Sequence, residues 1–449
     1  MALNSAIQFE VRQGGSDTNG GGFKSGASGT DWTLQDAAQY SVTDAVTAGT
    51  TTITSVTASF GTDVVGNTLY IQGGTGSISA NWYEITSRTN STTIVVDRST
   101  GLSTGTGATL KIGGAFATPG VLHSVAGGVG GQLVSGQKGW VKYNATAMQC
   151  TTSTSGPAGP LTITSAVAFS LEGYDQTRGD RTGNRPSYKW TASAPGSLTY
   201  LITLPGVARQ VVANMNVDGN SVNNVGGITQ TGNRSSVLDS VAQNCNGTSG
   251  VGFNLAGSNC SVTKCLASTC ITGFQNGGNA TNCDATGCTT SYTGLTVAIK
   301  CLARGGTTGF TASATGGLCH QCTADSATGQ GFNVTGATCL CACLATNCTG
   351  SGTGFAASTN ICIMYSCAYY NNTTNVSGTP LVNEGAIALS ADPYVNQAGA
   401  DFRPNTTSGG GSSLRNAGIG TYGQTDNADV GAVQHTDPSA TTTVFSGEF

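Results

Sequence analysis

Charge is the scarcest property of this 449-residue sequence, in which 18 Lys and Arg and 22 Asp and Glu amount to 9% and leave a net charge of −4. Without a basic run there is no electrostatic footprint for nucleic acid or an anionic membrane surface, and neither is expected as a partner. Long apolar runs are missing too; none approaches the roughly 18 residues of a membrane span, so no membrane insertion is expected. The opening MALNSAIQFEVRQ has neither a basic start nor the apolar core of a secretion signal, which makes folding in a cytosol the expectation. Aromatic residues make up only 7%, so any core must be filled largely by small side chains.

The abundant residues are Gly, Ser, Thr, Asn and Ala, a composition suited to stacked strands and turns rather than packed helices. Cysteine is also plentiful, at 16 residues. In a reducing compartment thiols are small, readily buried side chains, whereas outside it they pair. Their spacing decides between these, because they belong to a repeat. SVTKCLASTCITGFQNGGN, residues 261–279, returns as ATNCDATGCTTSYTG from Ala280, as AIKCLARGGTTGFTA from Ala298, and with drift as CHQCTADSATGQGFN from Cys319.

Aligned on one register, the zero position is Ser240, Cys265, Cys283, Cys301, Cys322, Cys343 and Cys367, in steps of 25, 18, 18, 21, 21 and 24 residues. Two places on stand Ala242, Ala267, Ala285, Ala303, Ala324 and Ala345, before Tyr369 breaks the column. Later in each unit come Phe253, Phe274, Tyr292, Phe310, Phe332 and Phe355, all but Tyr292 preceded by Gly. A unit this short cannot bury its own apolar face and is stable only when stacked on its neighbours. Period-two runs such as CLCACLA, rich in residues that favour strands, make the units coils of parallel strands. Coils roughly 4.8 Å apart would bring like residues into columns.

These repeats resemble the right-handed parallel β-helix of pectate-lyase-like proteins and phage tailspikes. The tail, DPYVNQAGADFRPNTTSGGGSSLRNAG followed by DVGAVQ, is similar to the closing segment of β-helix repeat proteins in Asp392-Pro393, Asp401 to Pro404, Ala417-Gly418 and Asp429 to Ala432. Its glycine-rich run from Ser408 to Ser413 departs from the compact Ser-Pro-Ala form usual there. The expected fold is therefore all-β: a glycine-rich arm or cap over residues 1–40, a small antiparallel β module over 41–115, a parallel β-helix over 116–390 with its first rungs near Leu122, and a closing segment and tail over 391–449. The arm, Val11 to Trp32, resembles openings of phage-type β-helix proteins and is expected to become ordered only on a neighbour or capsid.

Chemistry has little to draw on. Pectate-type lyases need calcium on several carboxylates and glycosidases need paired carboxyls, yet residues 235–379 offer only Asp239, Lys264, Asp284, Lys300, Arg304 and Asp325 as charges, with His320. Asp239, Lys264 and Lys300 share the column before position zero and read as a solvated outer face. Cys319 to Cys322 and Cys339 to Cys343 have soft-ligand spacing, but the column continues into Ser240, which is no ligand, so core packing is expected and no metal or cofactor. Cys265, Cys283, Cys301, Cys322 and Cys343 should form a buried column of free thiols, and Phe253, Phe274, Phe310, Phe332 and Phe355 an inward aromatic stack continued by Tyr292. The best enzyme-like cluster is EGYDQTRGDRTGNRPSYKW, Glu172 to Trp190, in which Asp175 and Asp180 are the candidate catalytic carboxylates. The Arg178 to Asp180 triplet is read as chance.

Three function classes compete. The first is a non-enzymatic structural protein of a virus particle, a capsid decoration or tail component folded in the host cytoplasm and displayed on the virion surface. It would be a homo-oligomer, with a trimer expected, in contact with other virion proteins. The second is a polysaccharide-degrading or glycan-binding tailspike that meets a host surface glycan. The third is an extracellular adhesin at a cell surface. The column Val241, Leu266, Asp284, Leu302, Thr323, Leu344 and Ala368 is mostly apolar; if it faces outward it marks a contact, and if inward it is core.

Overall fold

A computed structural model describes residues 3–434 apart from positions 77, 79, 102–103, 127–132, 164–166, 182, 207–208, 248, 314–315, 358–361, 416 and 419–428; the tail beyond 434 lies outside the described residues. The chain divides into two units, Met1–Asn279 and Ala280–Phe449. Both are built from the coils of a right-handed parallel β-helix.

In the first unit a closed antiparallel barrel joins Tyr40–Ala48, Thr52–Thr54, Thr93–Val96, Asn81–Asn90, Thr68–Gln72 and Thr104–Ile112 in that spatial order. Alternating apolar residues, among them Ile53, Leu69, Ile71, Ile85, Ile94 and Leu110, point inward and fill it. Closure leaves this sheet no free edge. The first coil follows at Lys138–Lys142, Met148–Cys150 and Leu161–Thr162, later than the expected start near Leu122. At Leu122 stands a short helix, Val121–Ala126, whose Val121, Leu122 and Val125 are buried.

The glycine-rich opening is folded within its own unit, with a strand paired to the first coil. Ile7–Val11 pairs in parallel with Lys138–Lys142, and Gly22–Lys24 pairs antiparallel with Ile7–Phe9. Its glycines serve close approach: Gly21 has φ 76°, and a Cβ there would stand 2.0 Å from the Phe116 ring. A chain with side chains at such points could not lie so close.

The last turn, Val382–Glu384 and Ile387–Ala388, contributes to two faces, and each full coil contributes one strand to each of three. In one coil of the first unit these are Ser261–Thr263, Leu266–Ser268 and Thr272–Gln275; the second unit repeats the pattern, for example in Val297–Ile299, Leu302–Arg304 and Thr308–Ala312. Pairing is parallel and in register, with Ala242 opposite Ala267 and Ala303 opposite Ala324. The Gly-Phe step has a steric reason. A Cβ on Gly309 would lie 2.9 Å from the Ala324 Cβ and 2.5 Å from the Gly331 carbonyl oxygen, so the third face approaches the second more closely than a side chain allows.

The column read as a solvated outer face lies at a corner, where Lys264 is exposed and Asp239 and Lys300 are part-exposed. From Asn214 on, one residue between the first and second faces takes a left-handed backbone in each coil: Asn214, Asp239 and Lys264 in the first unit, and Asn282, Lys300, Gln321, Ala342 and Ser366 in the second, with φ from 48° to 53° in the second-unit corner. Each turns the chain while its N–H still reaches the next coil, as Lys300 does at 2.9 Å to the His320 carbonyl. A second such corner closes the second face at Asn244 and Thr269, and at Gly287, Gly305, Ser326, Asn347 and Asn371. Non-glycine residues enter this region at a cost that tertiary pairing must offset.

Candidate functional site

The Glu172 to Trp190 cluster is a fastening. Asp180 accepts backbone N–H groups from Asp175, Gln176 and Thr177 at 2.7, 2.9 and 2.8 Å, and these bonds hold its carboxyl below the usual range. Asp175 accepts from the Asn184 N–H at 3.0 Å and from the Gln176 amide at 2.9 Å. Both candidate catalytic carboxylates are thus engaged in shaping their loop. Arg178 reaches away from it to Glu10 and Asp31, each at 2.8 Å, and donates to the Thr33 hydroxyl at 2.7 Å. Glu10 is fully buried, also pairs with Arg12 at 3.1 Å, and accepts from the Tyr174 hydroxyl. Burial pushes the Glu10 carboxyl up, against the pull of the Arg178 guanidinium. Arg181 pairs with Glu172 at 2.9 Å. This network ties the N-terminal strand to the coils.

The thiols and aromatic rings lie inside. Cys265, Cys283, Cys301, Cys322 and Cys343 are buried, and their Sγ atoms donate to backbone carbonyls, as from Cys322 to Ala298 at 3.4 Å. Burial and the adjoining thiols raise Cys301 well above the ordinary value. In the first unit Phe253 and Phe274 stack at 5.0 Å. In the second, Tyr292, Phe310, Phe332 and Phe355 stack in succession at 4.5, 4.8 and 4.9 Å, their planes within 11°. Cys339 and Cys341 differ from the other cysteines: they point outward, half-buried, with 3.2 Å between their sulfurs.

The apolar column beside position zero faces outward. In the first unit Val241 and Leu266 are half-buried. In the second, the closing segment lies over it: Leu302, Leu344 and Ala368 pack against Tyr394, Phe402, Leu414, Val430 and Ala432, and Thr323 takes the Ala432 N–H at 2.8 Å. The segment carries the antiparallel hairpin Tyr394–Asn396 with Asp401–Pro404.

Where this hairpin crosses the second face it leaves a cleft of about 470 Å³. One wall is fixed by Asp325, which is 4% exposed. Its carboxylate accepts from the Gln397 amide on both oxygens at 2.9 Å, from Thr346 at 2.7 Å, from Asn347 at 3.0 Å and from Ser326 at 2.9 Å. Arg304 stands 5.6 Å over the Phe402 ring and 3.8 Å from the Asp284 carboxylate. Asp284 is held above its ordinary value by partial burial, with Arg304 pulling the other way. Sequence reading named Asp284, Arg304 and Asp325 without grouping them, and it missed Gln397 and Phe402, whose approach depends on where the closing segment lies. Among the described residues no three His, Cys, Asp or Glu side chains gather closely enough to hold a metal ion.

No family model and no curated protein matches the sequence. Among solved structures the chain is similar to pectate lyase Pel9A, with 13% identity over 72% of this chain and 92% of that one and a TM-score of 0.45. It is similar also to the catalytic domain of a GH87 alpha-1,3-glucanase in complex with nigerose, at 8% identity over 78% and 90% with a TM-score of 0.22. A third is the tailspike protein gp49 from Pseudomonas phage LKA1, at 12% identity over 73% and 66% with a TM-score of 0.15. The three sheets define this chain as a parallel β-helix protein.

Proposed function

We propose that this is a non-enzymatic structural protein of a virus particle, displayed on the virion surface as a homo-oligomer with a trimer as the expected form. The observation that carries the reading is the terminal coil. Thr374–Gly378, Val382–Glu384 and Ile387–Ala388 are each the last strand of a face, with no further strand beside them among the described residues. Leu381, next to this edge, is 62% exposed. An open strand edge beside an exposed apolar side chain invites another chain, and an assembling protein uses such an edge where a monomeric enzyme has to hide it. Engagement of Asp175, Asp180 and Asp325 in structural hydrogen bonds supports the non-enzymatic part, since hydrolysis of a glycosidic bond needs two carboxyls free to act on it. The burial of thiols such as Cys301, Cys322 and Cys343 as small core side chains fits folding in a host cytoplasm.

Light scattering on the purified full chain tests the assembly, and incubation with neutral and acidic polysaccharides tests the chemistry. The expected result is an oligomer that releases no reducing ends or unsaturated products. A monomer that depolymerises a polysaccharide, and loses that activity in Asp175→Asn or Asp180→Asn, overturns the reading.

A further inference from the structure

The outward side of the first face changes character between the two units. In the first unit Ser236 stands opposite Ser261 and Leu238 opposite Thr263, mostly hydroxyl side chains that suit a surface in water. In the second unit one outward column runs Val297, Leu318, Cys339, Ile363 and Val382, in register from coil to coil. The other, from Ile299 to Tyr365, meets its first acidic residue at Glu384 on the last strand. The alternate residues Ala298, Cys319, Leu340 and Met364 are buried, so Val297, Leu318 and Ile363, all half-buried, point away from the core. Stacking does not require this, because the first unit stacks on Ser and Thr at the same positions. The closing segment does not account for it either: the outward apolar residues it packs on, Leu302, Leu344 and Ala368, belong to the second face.

We infer that this face of the second unit is a self-association surface, packed against the same face of other copies of the chain. The inference rests on the homo-oligomer reading and assigns it a surface. The five rows of the column span roughly 19 Å, four strand spacings, and a continuous outward apolar patch marks a contact between proteins. Symmetry favours a like partner. Around a rotation axis parallel to the coils each row meets the same row of its neighbours, so a charge would face its own copy and repel it, whereas Val, Leu and Ile meet themselves without that cost. From Val297 to Tyr365 the two columns hold no Lys, Arg, Asp or Glu; Lys300 stands at the corner beside them and Glu384 on the final strand. Val382 also joins the patch to the open edge at Leu381, so that the two surfaces are continuous.

Sedimentation of the full chain over a range of concentrations tests this, with Leu318→Glu, Ile363→Glu and the conservative Ile363→Val. Wild type and Ile363→Val should associate alike. Each Glu variant should keep its circular dichroism spectrum and associate about 100-fold or more weakly, because every copy then brings a like charge to the contact. Cys339 and Cys341 lie within the face and report on it without any substitution. Their maleimide labelling in the wild type, still ahead of the buried thiols, should slow about 10-fold as sedimentation shows monomer giving way to oligomer. The inference is overturned if the oligomer keeps its affinity in both Glu variants, or if the two thiols label equally fast in monomer and oligomer; either result leaves the homo-oligomer reading standing and gives the face to a different partner. A wild type that stays monomeric at every concentration overturns both.

Discussion

The Tyr292 hydroxyl donates to the Cys283 carbonyl at 2.6 Å and lies 3.2 Å from the Leu302 carbonyl. One hydroxyl therefore links the stack of rings to the strand of the second face. Tyr292→Phe should leave the ring stacked on Phe310, 4.5 Å away, and remove only this bond. The Cys283 carbonyl keeps the Leu302 N–H at 2.9 Å, so equilibrium denaturation should show a loss of about 1 kcal/mol.

Phe310 is sandwiched between Tyr292 and Phe332, at 4.5 and 4.8 Å, and is 2% exposed. Phe310→Ala removes both ring contacts and leaves a void that rigid coils above and below cannot collapse. The expected cost is about 3–5 kcal/mol, read from denaturant unfolding. A loss below about 1 kcal/mol would mean that the coils relax around the void.

Thiol reactivity should divide the cysteines sharply. Cys339 and Cys341 are half-buried and the other 14 are buried, and burial pushes Cys341 up to about 12, so little thiolate is present at neutral pH. Maleimide labelling of the native protein, followed by mass spectrometry, should modify these two first and Cys301, Cys322 and Cys343 only after unfolding. Early labelling of Cys301 would contradict its burial.

Asp180 links stability to acid. Its carboxyl is depressed below its ordinary value of 3.8 by the N–H groups of Thr177, Asp175 and Gln176. A depressed carboxyl binds protons less readily when folded. Its contribution is therefore complete above the ordinary value and is lost as the pH falls through the depressed one. Melting temperatures recorded from pH 5 to pH 2 should fall more steeply for the wild type than for Asp180→Asn, which cannot titrate. Parallel curves would show that the loop does not depend on this charge.

The repeat was legible because stacking forces like side chains into register, and the Ala242–Ala267 and Ala285–Ala303 pairs and the Phe positions report it directly. The corners were not. Asp239, Lys264, Asn282, Gln321 and Ala342 share a backbone shape and no side-chain chemistry, so a reading by residue type sees only polarity. The Glu172 to Trp190 segment is rich in interacting charges, but its partners Glu10 and Asp31 come from the N-terminal segment, and proximity in sequence hid that. The outward column at Leu302 and Leu344 could be recognised as unusual, yet its covering segment belongs to the far end of the chain, and no local pattern announces such a contact.

The coil lengths carry a consequence of their own. In the 18-residue coil from Cys283 to Lys300 the third face returns to the first through 294–296, whereas the 25-residue coil from Ser240 to Lys264 spends 255–260 on the same connection. Between these two coils the extra residues enter at such rims, beyond the left-handed corner, and each coil still advances by one strand spacing, roughly 4.8 Å. Within each unit, height along the axis is therefore set by the number of turns, and girth by how many residues each turn contains. Evolution or an engineer can embroider the circumference without disturbing the stacking that holds the protein together.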